Sequence, residues 1–128
     1  MKLRTFLSIV GVISILFGVG FVIVPVEMLA QYGVAADRSI ILMSRFFGTA
    51  LIQIGLLFWL ARSIIDSVGR AAIVLSGLIS MVIGFLVALQ GELSGVINAL
   101  GWSTVVLYAL FALGFAYFQF APRRPAGM

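Results

Sequence analysis

Residues 5–24 read TFLSIVGVISILFGVGFVIV, twenty consecutive positions without a charged side chain. At 1.5 Å rise per residue, a run of that length crosses the ~30 Å hydrocarbon core of a bilayer as one helix. Lys2 and Arg4 stand before it, and Pro25 and Glu27 end it. Three further runs of similar length follow. The second spans about Ser39 to Ala61 and carries one charge, Arg45. The third spans about Ala71 to Gln90, and the fourth about Trp102 to Ala121, before Pro122-Arg123-Arg124-Pro125. The runs are continuous, whereas membrane β-strands alternate over ten-residue segments, so helices are expected. The fold class read from this pattern is all-α, an integral membrane four-helix bundle in a single transmembrane domain.

Composition supports this reading. Of 128 residues, 63% are apolar and only 9% are charged, too few charges to cover a water-soluble surface. Mean hydropathy is +1.27, which excludes a disordered chain. Histidine and cysteine are absent, so disulfides, His/Cys metal sites, thiol catalysis and histidine switching are excluded. Lys2 and Arg4 make a basic start like that of a signal peptide, and Val34-Ala35-Ala36 faintly resembles a cleavage site. The apolar run exceeds a signal core of 7–15 residues, so it is read as a retained helix.

Loop charges set the expected orientation. Lys2, Arg4, Arg62, Arg70, Arg123 and Arg124 fall on one side of the four spans. Arg38 and the acids Glu27, Asp37 and Glu92 fall on the other. The positive-inside rule places both termini in the cytoplasm of a multi-pass protein of the inner (plasma) membrane. The basic residues are scattered singles and pairs, so no nucleic-acid partner is expected. Trp59 and Trp102 lie near span ends, as interfacial anchors do. Residues 25–38 are expected to hold one helical turn, with Met28, Leu29 and Tyr32 facing the membrane. Residues 91–101 are expected to lie in the interface or to extend the fourth helix. No internal repeat stands out.

Small residues mark helix contacts in membranes because they let backbones approach. Candidates are Ser8, Gly11, Ser14 and Gly18 in the first span and Gly48 and Gly55 in the second. Ser76, Gly77, Ser80, Gly84 and Ala88 form a broad face of the third, and Gly101, Ala112 and Gly114 lie in the fourth. These stripes are expected to face one another in a compact bundle, or one of them to bind another subunit or a lipid.

An ionisable side chain inside a membrane is costly and marks a candidate site. Arg45 is the clearest case, ~9 Å into the second span by helical rise. Thr49 is one turn deeper, with Gln53 near the same face, while Tyr108 with Thr104, Gln90, Glu92 and Glu27 belong to the same half of the chain's spans. Two accounts are open. In one, Arg45 pairs with Glu27, Asp37 or Glu92, or snorkels, and pins loops to the bundle. In the other, Arg45 and Tyr108 bind an anionic or polar head, such as a lipid phosphate or a quinone carbonyl. Phe46, Phe47 and Phe115 then serve as pocket wall rather than ordinary packing. No catalytic residue and no metal or cofactor site is identified, since the acids lie in or near loops without paired spacing and no phosphate loop or nucleophile elbow occurs. A proton relay or ion path lacks the mid-membrane acid or charged ring it needs.

Three segments carry a resemblance: Pro25-Val26-Glu27-Met28-Leu29-Ala30-Gln31-Tyr32-Gly33-Val34, then Ser44-Arg45-Phe46-Phe47-Gly48-Thr49-Ala50, then Gly55-Leu56-Leu57-Phe58-Trp59-Leu60-Ala61-Arg62. They resemble the small bacterial four-helix proteins of the DoxX-like superfamily, especially its DUF4345-type members. The Arg45–Thr49 run is also similar to a stretch of the Erg28 sterol-scaffold family. The resemblance implies a four-helix membrane fold and an accessory or scaffold role, and it transfers no catalytic residue.

The function expected from these readings is a small non-enzymatic membrane accessory or scaffold subunit. It would pack laterally against a larger membrane partner, or against its own copies, through a small-residue face. The alternative is a binding protein or carrier for an amphipathic lipid or quinone at Arg45 and Tyr108. A quinone-linked oxidoreductase-associated subunit is a third reading, by resemblance alone.

Overall fold

The structure is a computed structural model that describes residues 2–64 and 67–121. Arg123 and Arg124, counted above among the basic residues, lie outside the described residues. Five helices follow in order: α1 Leu3–Ile23, α2 Pro25–Gln31, α3 Arg38–Ala61, α4 Ser67–Leu93 and α5 Gly101–Phe120. No strand occurs among the described residues. All but α2 are long and apolar enough to cross a membrane, so the chain is an all-α, multi-pass membrane protein.

Local chemistry sets the helix ends. The Pro25 ring has no N–H to give α1, so α1 stops at Ile23 and Pro25 opens α2, where a missing donor costs nothing. Asp37 caps α3, its Oδ1 accepting from the Ile40 N–H at 2.9 Å. The turns after α2 and α4 are built alike. Gly33 and Gly95 both take φ +74°. Val34 N–H donates to the Leu29 carbonyl and Val96 N–H to that of Gly91. This six-to-one closure turns the chain at a left-handed residue, which glycine adopts without a Cβ penalty.

Helix contact is concentrated within two antiparallel pairs, α1 with α3 and α4 with α5. The first pair closes glycine on glycine. A Cβ built on Gly11 would lie 2.8 Å from the Gly55 carbonyl oxygen, and one on Gly18 would lie 2.7 Å from that of Gly48. Each helix repeats its glycine after seven residues, so the backbones touch twice along one seam. The second pair closes ring on glycine. A Cβ at Gly77 would strike the Phe115 ring, and one at Gly84 the Tyr108 ring. Both opening helices carry the same pattern, Gly11-Val12-Ile13-Ser14 with Gly18, and Gly77-Leu78-Ile79-Ser80 with Gly84.

The two pairs meet chiefly at the end holding the N-terminus. Leu3, Phe6, Leu7, Val10, Phe58, Val74, Met81, Phe111 and Phe115 form one buried cluster there. Phe6 contacts Phe115 edge to face at 4.8 Å between ring centroids and also covers Gly114. Phe115 is fully buried and reaches Phe58 at 5.4 Å, so two rings link α1, α3, α4 and α5.

Several expected details differ. The small-residue stripes do not all face one another, because Gly11, Gly18, Gly48, Gly55, Gly77 and Gly84 are taken up inside the pairs and Gly114 is covered by the Phe6 ring. Ser76 and Ser80 are exposed, and their hydroxyls donate to the Ile73 and Gly77 carbonyls of their own helix. The 91–101 segment forms no separate helix and adds only Gly101 to the fourth run. Residues to Leu93 extend α4, and a turn leads to Gly101. Tyr32 turns towards α5, where its hydroxyl accepts from Thr104, and Leu29 is buried rather than on an outer face.

Candidate functional site

The helix ends place the polar side chains in two separate groups. The first lies on α3. Arg45 is ~10 Å along the axis from Arg38 by helical rise. Its neighbours Ser44 and Gly48 are buried towards α1, while Arg45 itself is exposed. Among the described residues it makes no ion pair and its guanidinium no hydrogen bond. Asp37 is occupied in capping α3. Thr49 is exposed and its hydroxyl donates to the Arg45 carbonyl at 2.9 Å. Gln53, one turn further, is exposed and without a hydrogen-bond partner among the described residues. Arg45, Thr49 and Gln53 thus form an exposed polar stripe at four-residue spacing, which runs from beside the α1 seam at Arg45 to the opposite side of α3 at Gln53.

The second group gathers where the two pairs meet near α2. Asn98 is its centre. Its backbone N–H donates to the Tyr32 carbonyl at 3.0 Å, and its Nδ2 donates to the Gln31 carbonyl at 3.0 Å. Its Oδ1 accepts from the Leu100 N–H at 3.1 Å. One asparagine therefore ties the turn after α2 to the approach to α5. Thr104 Oγ1 donates to the Tyr32 hydroxyl at 3.3 Å. Tyr108 lies one turn deeper on α5, its ring seated on Gly84. Glu92 is half-buried beside Gly101, the first residue of α5. Its Oε2 is buried without a hydrogen-bond partner among the described residues, as the N–H groups of residues 101–103 bond the carbonyls of residues 98–100.

The structure therefore divides the residues singled out from sequence. Thr104, Tyr108 and Glu92 lie towards the second pair, whereas Arg45 and Thr49 lie on the open side of the first. No hydrogen bond or ion pair joins the two groups among the described residues. Glu27 is exposed in the first turn of α2, and Gln90 is exposed on α4. Phe115 belongs to the core, and Phe46 and Phe47 are exposed, Phe47 meeting Phe21 edge to face at 5.3 Å. Asn98 and Tyr32 were not recognised as site residues. The only sequence signal for Asn98 is a polar amide close to the start of a span, and that signal names no partner. At the opposite end, Arg62 stacks on Trp59 at 4.1 Å from the ring centroid and donates to its carbonyl at 2.6 Å. No group of three or more metal-ligating side chains occurs among the described residues.

Compared with known protein families, curated proteins and solved structures, the chain matches none.

Proposed function

We propose that this chain is a non-enzymatic accessory subunit of the cytoplasmic membrane, which works by lateral packing against a larger membrane partner. One observation carries the reading. Arg45 is exposed seven residues into α3, a helix long and apolar enough to cross a membrane, with no counter-charge among the described residues. A cation in that setting is costly unless an anion meets it. Short connections leave little surface except the sides of the helices, so the anion comes from a neighbour in the membrane. The small-residue mechanism expected from sequence gives way to this polar one, since the glycine faces are taken up by contacts inside the chain.

Both termini lie in the cytoplasm in this reading. Lys2, Arg4, Arg62 and Arg70 cluster where α1 and α4 begin and α3 ends, and the positive-inside rule assigns that end. Relation to the DoxX-like superfamily belongs to the same proposal and rests on residues 25–34, 44–50 and 55–62.

A second reading is that Arg45 meets the phosphate of an anionic lipid. Its modest depth favours this, because a long side chain can snorkel to the headgroups. Mass measurement after gentle-detergent extraction from native membranes separates the two. The subunit reading requires a complex heavier than the chain that Arg45→Ala dissociates. A lone chain that keeps anionic lipid, and loses it on Arg45→Ala, overturns the subunit reading in favour of the second.

A further inference from the structure

Gln53 is the one polar stripe residue that neither snorkelling nor its own helix accounts for. It lies ~12 Å from the Ala61 end of α3 and ~22 Å from the Arg38 end, by helical rise. The side chain is too short to reach water from either end. Its carboxamide, with two donor hydrogens and an acceptor oxygen, is exposed and unbonded among the described residues. Acyl chains offer such a group no partner. Thr49, by contrast, satisfies its hydroxyl on the Arg45 carbonyl.

The residues around Gln53 form a bare seam. Phe46, Ala50, Gln53, Leu57 and Leu60 follow at alternating four- and three-residue steps, the spacing of a left-handed helix pair. Phe46 is 60% exposed, Leu57 56% and Leu60 70%, so no other helix of the chain covers them. At about 100° per residue, Gln53 stands roughly 140–160° from Gly48 and Gly55, so this seam is opposite the one taken by α1.

We infer that this face of α3 packs against the same face of a second copy, with the two Gln53 carboxamides hydrogen-bonded across a two-fold axis along the membrane normal. Three features select a second copy over another occupant. A carboxamide holds donor and acceptor together, so it is complementary to itself. Copies inserted in one orientation bring Gln53 to the same depth, which an isologous interface requires. Arg45 stands about 80° around α3 from Gln53, so the two guanidinium groups flank the seam rather than meet in it.

This pairing goes beyond the lateral-subunit reading and does not use Arg45, so Arg45→Ala leaves it intact. The test uses the full chain in lipid vesicles. Because the natural sequence has no cysteine, single-cysteine variants report proximity cleanly. Leu57→Cys should give a disulfide-linked dimer, while Leu86→Cys on the exposed side of α4 should give little. Energy transfer between labelled copies, diluted with lipid, measures the affinity. Gln53→Leu should weaken association about 5- to 30-fold, the equivalent of one intramembrane hydrogen-bonded pair, and Gln53→Asn should retain most of it. Equal cross-linking at the two cysteines overturns the proposal, as does Gln53→Leu associating as tightly as the natural chain. A natural chain that stays monomeric at every protein-to-lipid ratio overturns it without any variant.

Discussion

Gly48→Ala tests the seam between α1 and α3 with a single methyl group. That methyl would sit 2.7 Å from the Gly18 carbonyl oxygen and 2.9 Å from both Phe21 Cβ and Val22 Cγ2. Ordinary contact begins at 3.4 Å, so the helices must separate by about 0.7 Å (3.4 less 2.7) unless α1 rotates. A gap of that size forfeits a quarter to a half of the dispersion energy of each neighbouring atom pair, and dispersion is what holds apolar helices together in lipid. Overpacking of this kind costs ~1–3 kcal/mol. Gly91→Ala is the matched control. It has the same intrinsic helix gain, but its methyl meets only the mobile end of Ile97, at 3.3 Å. Reversible unfolding in mixed micelles, followed by helicity, should therefore place Gly48→Ala ~1–3 kcal/mol below Gly91→Ala. Gly18→Ala acts on the same contact, so the double variant should cost at least ~0.5 kcal/mol less than the sum of the singles. Equal stability of Gly48→Ala and Gly91→Ala would refute backbone contact as the basis of the first pair.

Two further outcomes are expected. Asn98→Ala removes the bonds to the Gln31 carbonyl and from the Leu100 N–H, and should cost ~1–3 kcal/mol while speeding amide exchange around residues 33 and 98; unchanged exchange there would remove the clasp. Reporter fusions should place the tail in the cytoplasm and the turn at Gly95 outside, and a reversed pattern would invert the orientation proposed from Lys2, Arg4, Arg62 and Arg70.

Much of the helix framework was legible along the chain. Apolar runs bounded by Pro25, Arg62 and Pro122, with Arg45 the one charge inside them, locate the helices to within a few residues, because the cost of burying charge and bare backbone in lipid depends on length and composition alone. Asp37 before an apolar run reads as a cap for the same local reason. The site was less legible. Position along a helix follows from the sequence, and Arg45 lies seven residues into α3 (Arg38–Ala61). Direction around the bundle does not follow, so Arg45 and Tyr108 looked like neighbours although they stand on separate helix pairs.

The amino-acid order by itself thus determined that four helices are long and apolar enough to cross a membrane, and placed their ends to within a few residues. Only the tertiary structure decided which glycine meets which partner, that Asn98 joins the two pairs, and that Gln53 is left facing outward. The physical reason is that lipid and leucine are alike to an apolar helix face. Periodicity shows that such a face exists, whereas the choice between lipid, another helix and another chain rests on shape matching and on hydrogen bonds between residues far apart in sequence.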